Sequence, residues 1–118
     1  MNVEEIRDYC LSKPQATESF PFDDTSLVMK VCGKMFALIP LEATQTCITL
    51  KCDPDYAIEL RDRYEAVTPA YHFNKKHWNT VFLDNTIKET DLVSWINQSY
   101  DLVVKGLTKK EKAGLGIQ

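Results

Sequence analysis

The chain of 118 residues and 13.5 kDa has room for one compact domain and is too short for two of ordinary size. Hydrophobic residues at 44% and charged residues at 26% match globular averages, which excludes disordered, collagen-like and coiled-coil classes. A formal net charge of −3 and an isoelectric point near 5.3 argue against a generically basic nucleic-acid binder, but not against a local basic surface, because association follows the local field.

In chain order, Asn2 followed by Glu5 has the form of a capping box, and Val3, Ile6 and Cys10 recur at helical spacing. A helix over about 3–12 is expected, stopped by the approach to Pro14. Thr17 to Asp24, with Phe20-Pro21-Phe22 and Asp23-Asp24, reads as an aromatic-containing loop or short edge strand. Ser26–Cys32 and Met35–Pro40 are rich in Val, Met, Phe and Ile around Gly33-Lys34, the pattern of a tight hairpin of type I′ or II′. Cys47–Cys52 alternates as a third strand, and the short connections favour an antiparallel meander.

Asp53-Pro54 supplies an N-cap acid and a first-turn proline for a helix ending near Glu65, with Ala57, Leu60 and Tyr64 on one face. A strand over about 78–83 and a helix over about 89–106 follow, the latter striped by Leu92, Ile96, Ser99 and Val103. Residues 107–118 read as a frayed tail of one domain spanning 1–118. The resulting fold class is α+β: a mostly antiparallel sheet with flanking helices in the order α-β-β-β-α-β-β-α.

The longest uninterrupted apolar stretch, Met35–Ile39, is far too short to span a bilayer, and the acidic opening Met1-Asn2-Val3-Glu4-Glu5 lacks a signal's apolar core. No membrane association and a cytoplasmic location are therefore expected. Cys10, Cys32, Cys47 and Cys52 form no C-x-x-C pair, and Cys32 and Cys47 lie in apolar strand-like runs; all four read as reduced and structural.

Residues 71–79 hold the most chemistry. Lys75 and Lys76 can neutralise phosphates, Asn74 and Asn79 can donate to backbone oxygens or base edges, and Trp78 or Phe73 can stack on an unpaired base. The plainer alternative is a polar loop whose aromatics plug the core and whose lysines are solvated. His72 and His77 are not spaced for one helical face and no familiar ligand spacing surrounds them, so neither a metal nor a cofactor is expected. No nucleophile-elbow or phosphate-cradling glycine pattern points to catalysis. Lys30 and Lys34 flank the hairpin tip and Lys51 ends the third strand, where they either lie along a phosphate backbone or discourage edge pairing.

Four segments carry a resemblance: Val31-Cys32-Gly33-Lys34-Met35-Phe36-Ala37-Leu38, Leu50-Lys51-Cys52-Asp53-Pro54, Tyr71-His72-Phe73-Asn74-Lys75-Lys76-His77-Trp78-Asn79-Thr80-Val81, and Ser99-Tyr100-Asp101-Leu102-Val103. Together they closely resemble the MmcQ/YjbR family of small bacterial proteins, over nearly the whole chain. The resemblance implies a compact domain compared with CyaY-like and secretion-chaperone-like folds, and DNA binding through a "double wing". It carries over Lys34, Lys51, His72, Asn74, Lys75, Lys76, His77, Trp78 and Asn79 as candidate contacts. Departures are Phe73, where members often have methionine, and the acidic Asp23-Asp24, where a glycine commonly follows the second aromatic residue.

The leading expectation is a non-enzymatic domain contacting DNA through Lys30, Lys34, Lys51, Lys75 and Lys76, with Trp78 stacking or positioning and the asparagines as backbone donors. The rival is a protein- or peptide-interaction module, which needs an exposed apolar groove. An enzyme using His72 or His77 needs a concave pocket with a histidine beside a carboxylate.

Overall fold

The computed structural model describes residues 1–116. Helix α1 (Val3–Leu11) starts at the expected capping box: the Asn2 side chain accepts from the Glu5 amide at 2.8 Å and the Glu5 carboxylate accepts from the Asn2 amide at 3.1 Å. Strands β1 (Ala16–Ser19), β2 (Ser26–Val31), β3 (Lys34–Pro40) and β4 (Cys47–Lys51) follow, then α2 (Pro54–Arg63), β5 (Val67–Pro69), β6 (Trp78–Phe82), α3 (Glu89–Lys105) and α4 (Lys109–Gly114). Asp53 caps α2 through the amides of Asp55 and Tyr56, with Pro54 in the first turn. Among the described residues no helix is long and apolar enough to cross a membrane.

The strands form one antiparallel sheet in the order β1-β2-β3-β4-β6-β5. The expected meander is present as β2-β3-β4, while β6 enters between β4 and β5. Two elements exceed the expected order. Polar β1 pairs along β2, with Ala16 opposite Val31 and Ser19 opposite Val28. The presumed tail holds α4, capped reciprocally by Thr108 and Glu111 and tied down by the Gln15 side-chain amide on the Gly114 carbonyl at 2.6 Å. Residues 109–114 are thus helical rather than frayed, and the final two positions of that tail, 117 and 118, lie outside the described residues.

The hairpin also differs by one residue. Its central pair is Cys32-Gly33, both left-handed (φ 49° and 75°), so Lys34 already pairs with Val31. Two positive φ values define a type I′ turn, whose twist matches the flanking strands. Cys32 is consequently a turn residue and not the strand residue expected. Asparagine tolerates that conformation better than cysteine, so Cys32→Asn is expected to raise stability by about 0.5 kcal/mol in urea unfolding; an unchanged or lower midpoint would show that the thiol's partial burial outweighs the turn geometry.

Helices pack on one face only. Leu27, Met29, Ala37, Ile39, Ile48, Leu50, Val67 and Val81 of the sheet meet Ile6, Cys10, Leu92, Trp95, Ile96 and Val103, all buried. Each large aliphatic side chain contributes about 1.5–3 kcal/mol on burial. The same burial pushes the Cys10 thiol up to about 12 and the Cys52 thiol up to about 11, so neither is a thiolate at neutral pH. All four cysteines are free.

Strands β3 and β4 pair at Ala37↔Leu50 and Leu38↔Thr49. Where the ladder would continue, the Ser99 hydroxyl of α3 intervenes, donating to the Phe36 carbonyl at 2.5 Å and accepting from the Lys51 amide at 2.8 Å. One buried hydroxyl thereby completes two backbone groups and ties the central helix to the sheet.

At the sheet edge, Arg7 of α1 grips Glu18 of β1 bidentately, with Nε on one carboxylate oxygen at 2.6 Å and a terminal nitrogen on the other at 2.5 Å. The Arg7 hydrogen bond holds the Glu18 carboxyl below its ordinary value. A depressed folded-state value means the contribution is complete above the unfolded pKa of about 4.3 and disappears as pH falls through the folded one. Glu18→Gln is therefore expected to be less stable than the parent at pH 7 and to converge with it in strong acid. Parallel melting curves at both pH values would reveal a pH-independent gap if the pair were only steric.

Candidate functional site

The loop between β5 and β6 is built from the inside. The Arg61 guanidinium of α2 donates from Nε to Asn79 Oδ1 at 2.7 Å and from a terminal nitrogen to the Lys75 carbonyl. Asn79 Nδ2 donates to the Ala57 carbonyl at 3.3 Å. The Asn74 carbonyl accepts from the His77 and Trp78 amides, its side chain accepts from the Lys76 amide, and the His77 carbonyl receives the Cys52 amide at 2.7 Å. The loop is clamped to both α2 and the end of β4.

That geometry corrects part of the expected contact set. Asn79 is only 2% exposed and both ends of its amide are occupied within the protein, so it is no backbone donor to an external partner. The exposed Asn74 accepts from the Lys76 amide through its side-chain oxygen, which leaves the expected donor role of its Nδ2 untouched. Trp78 is half-buried against Phe73, ring centroids 5.8 Å apart and tilted by 36°, which makes it a positioning residue before a stacking one. His77 is half-buried while His72 is exposed. Among the described residues, no group of three or more His, Cys, Asp or Glu side chains is placed to hold a metal ion.

The lysines share one end of the sheet but not one face: Lys34, opposite the core residue Val31, lies on the helix side and Lys30 and Lys51 on the other. Register puts the Cys32-Gly33 turn, the end of β4 and the start of β6 at one end of the sheet: Lys30 lies opposite Met35, Lys34 opposite Val31, and Lys51 opposite Trp78. Pleating places Lys30, Lys51 and Trp78 on the face shared by Val28, Thr49 and Thr80. Lys75 and Lys76, both exposed, belong to the loop that closes at Trp78, and the Lys75 ammonium sits over the Tyr71 ring, 5.0 Å from its centroid. Helix α4 adds Lys109, Lys110 and Lys112 at the same end, because Gln15, beside the Ala16↔Val31 pair, anchors it there. Lys34 helps to hold the Glu111 carboxyl low, after the larger effect of the Thr108 cap. The sequence reading missed these three lysines; the Thr108-x-x-Glu111 capping box was the available signal.

Acids gather at the other end of the strands. Asp23 and Asp24 precede β2, Glu42 follows β3 and Asp84 follows β6. The Thr25 and Ser26 amides hold Asp23 below its ordinary value, and Thr86 does the same to Asp84, so both stay ionised. Helix α2 starts beside Lys51 and leads to β5, so Asp53 and Asp55 belong to the lysine end, as do Glu111 beside Lys34 and Asp101, which lines a shallow cleft together with Asp53. The molecule is polarised along its strands.

The helix-free face bears the second feature. A register row runs across the whole sheet there, Thr68–Thr80–Thr49–Leu38–Val28–Ser19, and the Thr49 and Thr80 hydroxyls bond at 3.0 Å. Over part of this row the 69–73 segment forms the wall of a cleft of about 390 Å³, with Leu38, Phe82, Phe73 and His72 among its lining and no carboxylate. Cys47 also lines it, its thiol pushed up by burial.

The YjbR family model matches residues 11–102, from the end of α1 through most of α3. The chain belongs to the YjbR family. It is similar to the uncharacterized protein YjbR of Escherichia coli, 32% identical over 118 residues, covering 100% of this chain and 99% of that one. The uncharacterized protein YbdF of Escherichia coli is 35% identical over 109 residues, covering 92% and 89%. Among solved structures, Deinococcus radiodurans protein DR2400 superimposes with a TM-score of 0.91 at 41% identity, over 99% of this chain and 89% of that one. A Pseudomonas syringae protein follows at TM-score 0.75 and 28% identity, over 86% and 98%. The lysine end and the cleft wall of this YjbR-family chain both fall within the matched span, except for α4.

Proposed function

We propose that this YjbR-family chain is a non-enzymatic DNA-binding protein that grips the phosphate backbone with the lysine-bearing end of its sheet. One observation carries the proposal: lysines from four separate stretches (the hairpin, the end of β4, the 71–77 loop and α4) meet at one end while Asp23, Asp24, Glu42 and Asp84 occupy the other. A dipolar protein of net charge −3 approaches a polyanion with that end first. Lys30, Lys34, Lys51, Lys75 and Lys76 make the phosphate contacts, with Lys109, Lys110 and Lys112 beside them. Trp78 and Phe73 hold the loop, and the asparagines shape it.

Phosphate contacts dominate affinity through counterion release, so about four to five of them give a log-log salt slope of about −4. Fluorescence anisotropy with a duplex across a salt series reads this directly. Lys75→Ala with Lys76→Ala is expected to make the slope shallower by about two and to weaken all sequences alike. A salt-independent signal, or an unaltered slope in the double variant, removes the loop from any polyanion interface.

The interaction-module alternative has its own support. Phe22 is 65% exposed, Phe20 46% and Leu41 45%, all at or beyond the acidic strand ends. Exposed apolar side chains of this kind suit contact with a partner protein. Should Phe22→Ser abolish a concentration-dependent rise in sedimentation coefficient, while leaving DNA affinity unchanged, the two surfaces are separate.

A further inference from the structure

We infer that the cleft on the helix-free face is a binding site for a small aromatic carboxylate. The cleft is walled by the 69–73 segment and floored by β4 and β6, away from the hairpin lysines, and it shares only Lys75 with the proposed DNA surface.

Its volume of about 390 Å³ is at the lower end of small-molecule sites. Its apolar lining combines Leu38 and Phe82 of the sheet with Phe73 of the wall, which suit a flat apolar ring system. Its floor is the Thr49–Thr80 hydroxyl pair; one of the two protons is used between them, and the other remains for a ligand oxygen. Charge at the mouth then selects the head group. His72 and Tyr71 are exposed residues of the lining, and the Lys75 ammonium, itself outside the lining, rests over the Tyr71 ring and brings a positive charge close to the cleft. No carboxylate faces them across the cleft. An anion therefore meets donors and no repulsion, while its ring replaces water on apolar walls. A nucleobase fits less well, because its hydrogen-bonding edge would be buried against Leu38, Pro40 and Phe82.

The test uses 2-naphthoate and its neutral analogue 2-naphthamide, titrated into the whole chain and followed by amide NMR shifts and calorimetry. Expected are saturable one-site shifts at residues 70–73, 49 and 80, and acid binding about tenfold tighter than the amide. His72→Gln with Lys75→Gln, both exposed positions, is expected to bring the acid down to the amide's affinity. Thr68→Phe fills the cleft from the edge strand and should abolish both; Leu38→Phe serves if the first variant is not folded by circular dichroism. No saturable shift in the parent, equal affinity for acid and amide, or full binding by a folded cleft-filled variant each overturns the assignment. The parent and the cleft-filled variants keep all the DNA-contacting lysines, so their salt slope on DNA is unaffected by the naphthoate result, and failure here and failure of the DNA proposal are separately readable.

Discussion

Ser99→Ala is expected to lower the unfolding free energy by about 2–4 kcal/mol, although the change removes a single oxygen. The hydroxyl is fully buried in α3 and serves two main-chain groups at once, the Phe36 carbonyl and the Lys51 amide. With alanine both are orphaned, each losing its partner with no route to water, and each such loss costs about 1–3 kcal/mol. Urea denaturation measures the cost as a shift in midpoint at constant slope. Ser94→Ala on the same helix is the control, because Ser94 is exposed and accepts only from its neighbour Gln98; a change within about 0.5 kcal/mol is expected there. A cost below about 1 kcal/mol at Ser99 would mean that β3 and β4 close directly once the hydroxyl is gone.

Asn79→Leu is expected to cost a comparable amount, about 2–4 kcal/mol, and to loosen the 71–77 loop as well. Leucine keeps the volume but removes the acceptor for Arg61 Nε and the donor to Ala57. The guanidinium then loses the anchor from which it also reaches the Lys75 carbonyl. Because that loop carries Lys75 and Lys76 on one side and the cleft wall on the other, both proposed surfaces should suffer together. Hydrogen exchange at the His77 and Trp78 amides, now held by the Asn74 carbonyl, reports the loosening. A residue that touched DNA directly would behave oppositely: stability intact, affinity lost. A stable Asn79→Leu protein that keeps its amide protection but loses DNA affinity would thus restore Asn79 to the interface.

Much of the fold is legible in local chemistry. The Asn2–Glu5 box, the Asp53-Pro54 start and the Leu92–Ile96–Ser99–Val103 stripe each fix an element by interactions within a few residues. Two elements are only faintly legible because they carry no apolar period: β1 overlaps the stretch read as a loop or short edge strand, and α4 is announced only by its Thr108–Glu111 capping box. Strand β1, Ala-Thr-Glu-Ser, exists because β2 offers it a partner edge, and α4 has no buried residue and depends on its caps and on Gln15. The hairpin turn is misplaced by one residue from sequence because the backbone places Cys32 at positive φ, which no side-chain pattern announces.

The candidate site divides along the same line. Residue types alone point to the lysines, to the 71–79 segment and to family membership, because motif chemistry is written in consecutive residues. Chain-distant pairing alone decides that β6 slots between β4 and β5, and this crossing sets Lys51 beside Trp78, buries Asn79 under Arg61 and opens a cleft on the helix-free face. Strand neighbours are chosen by the summed burial of both faces, a quantity that belongs to the assembled sheet and to no single stretch of chain.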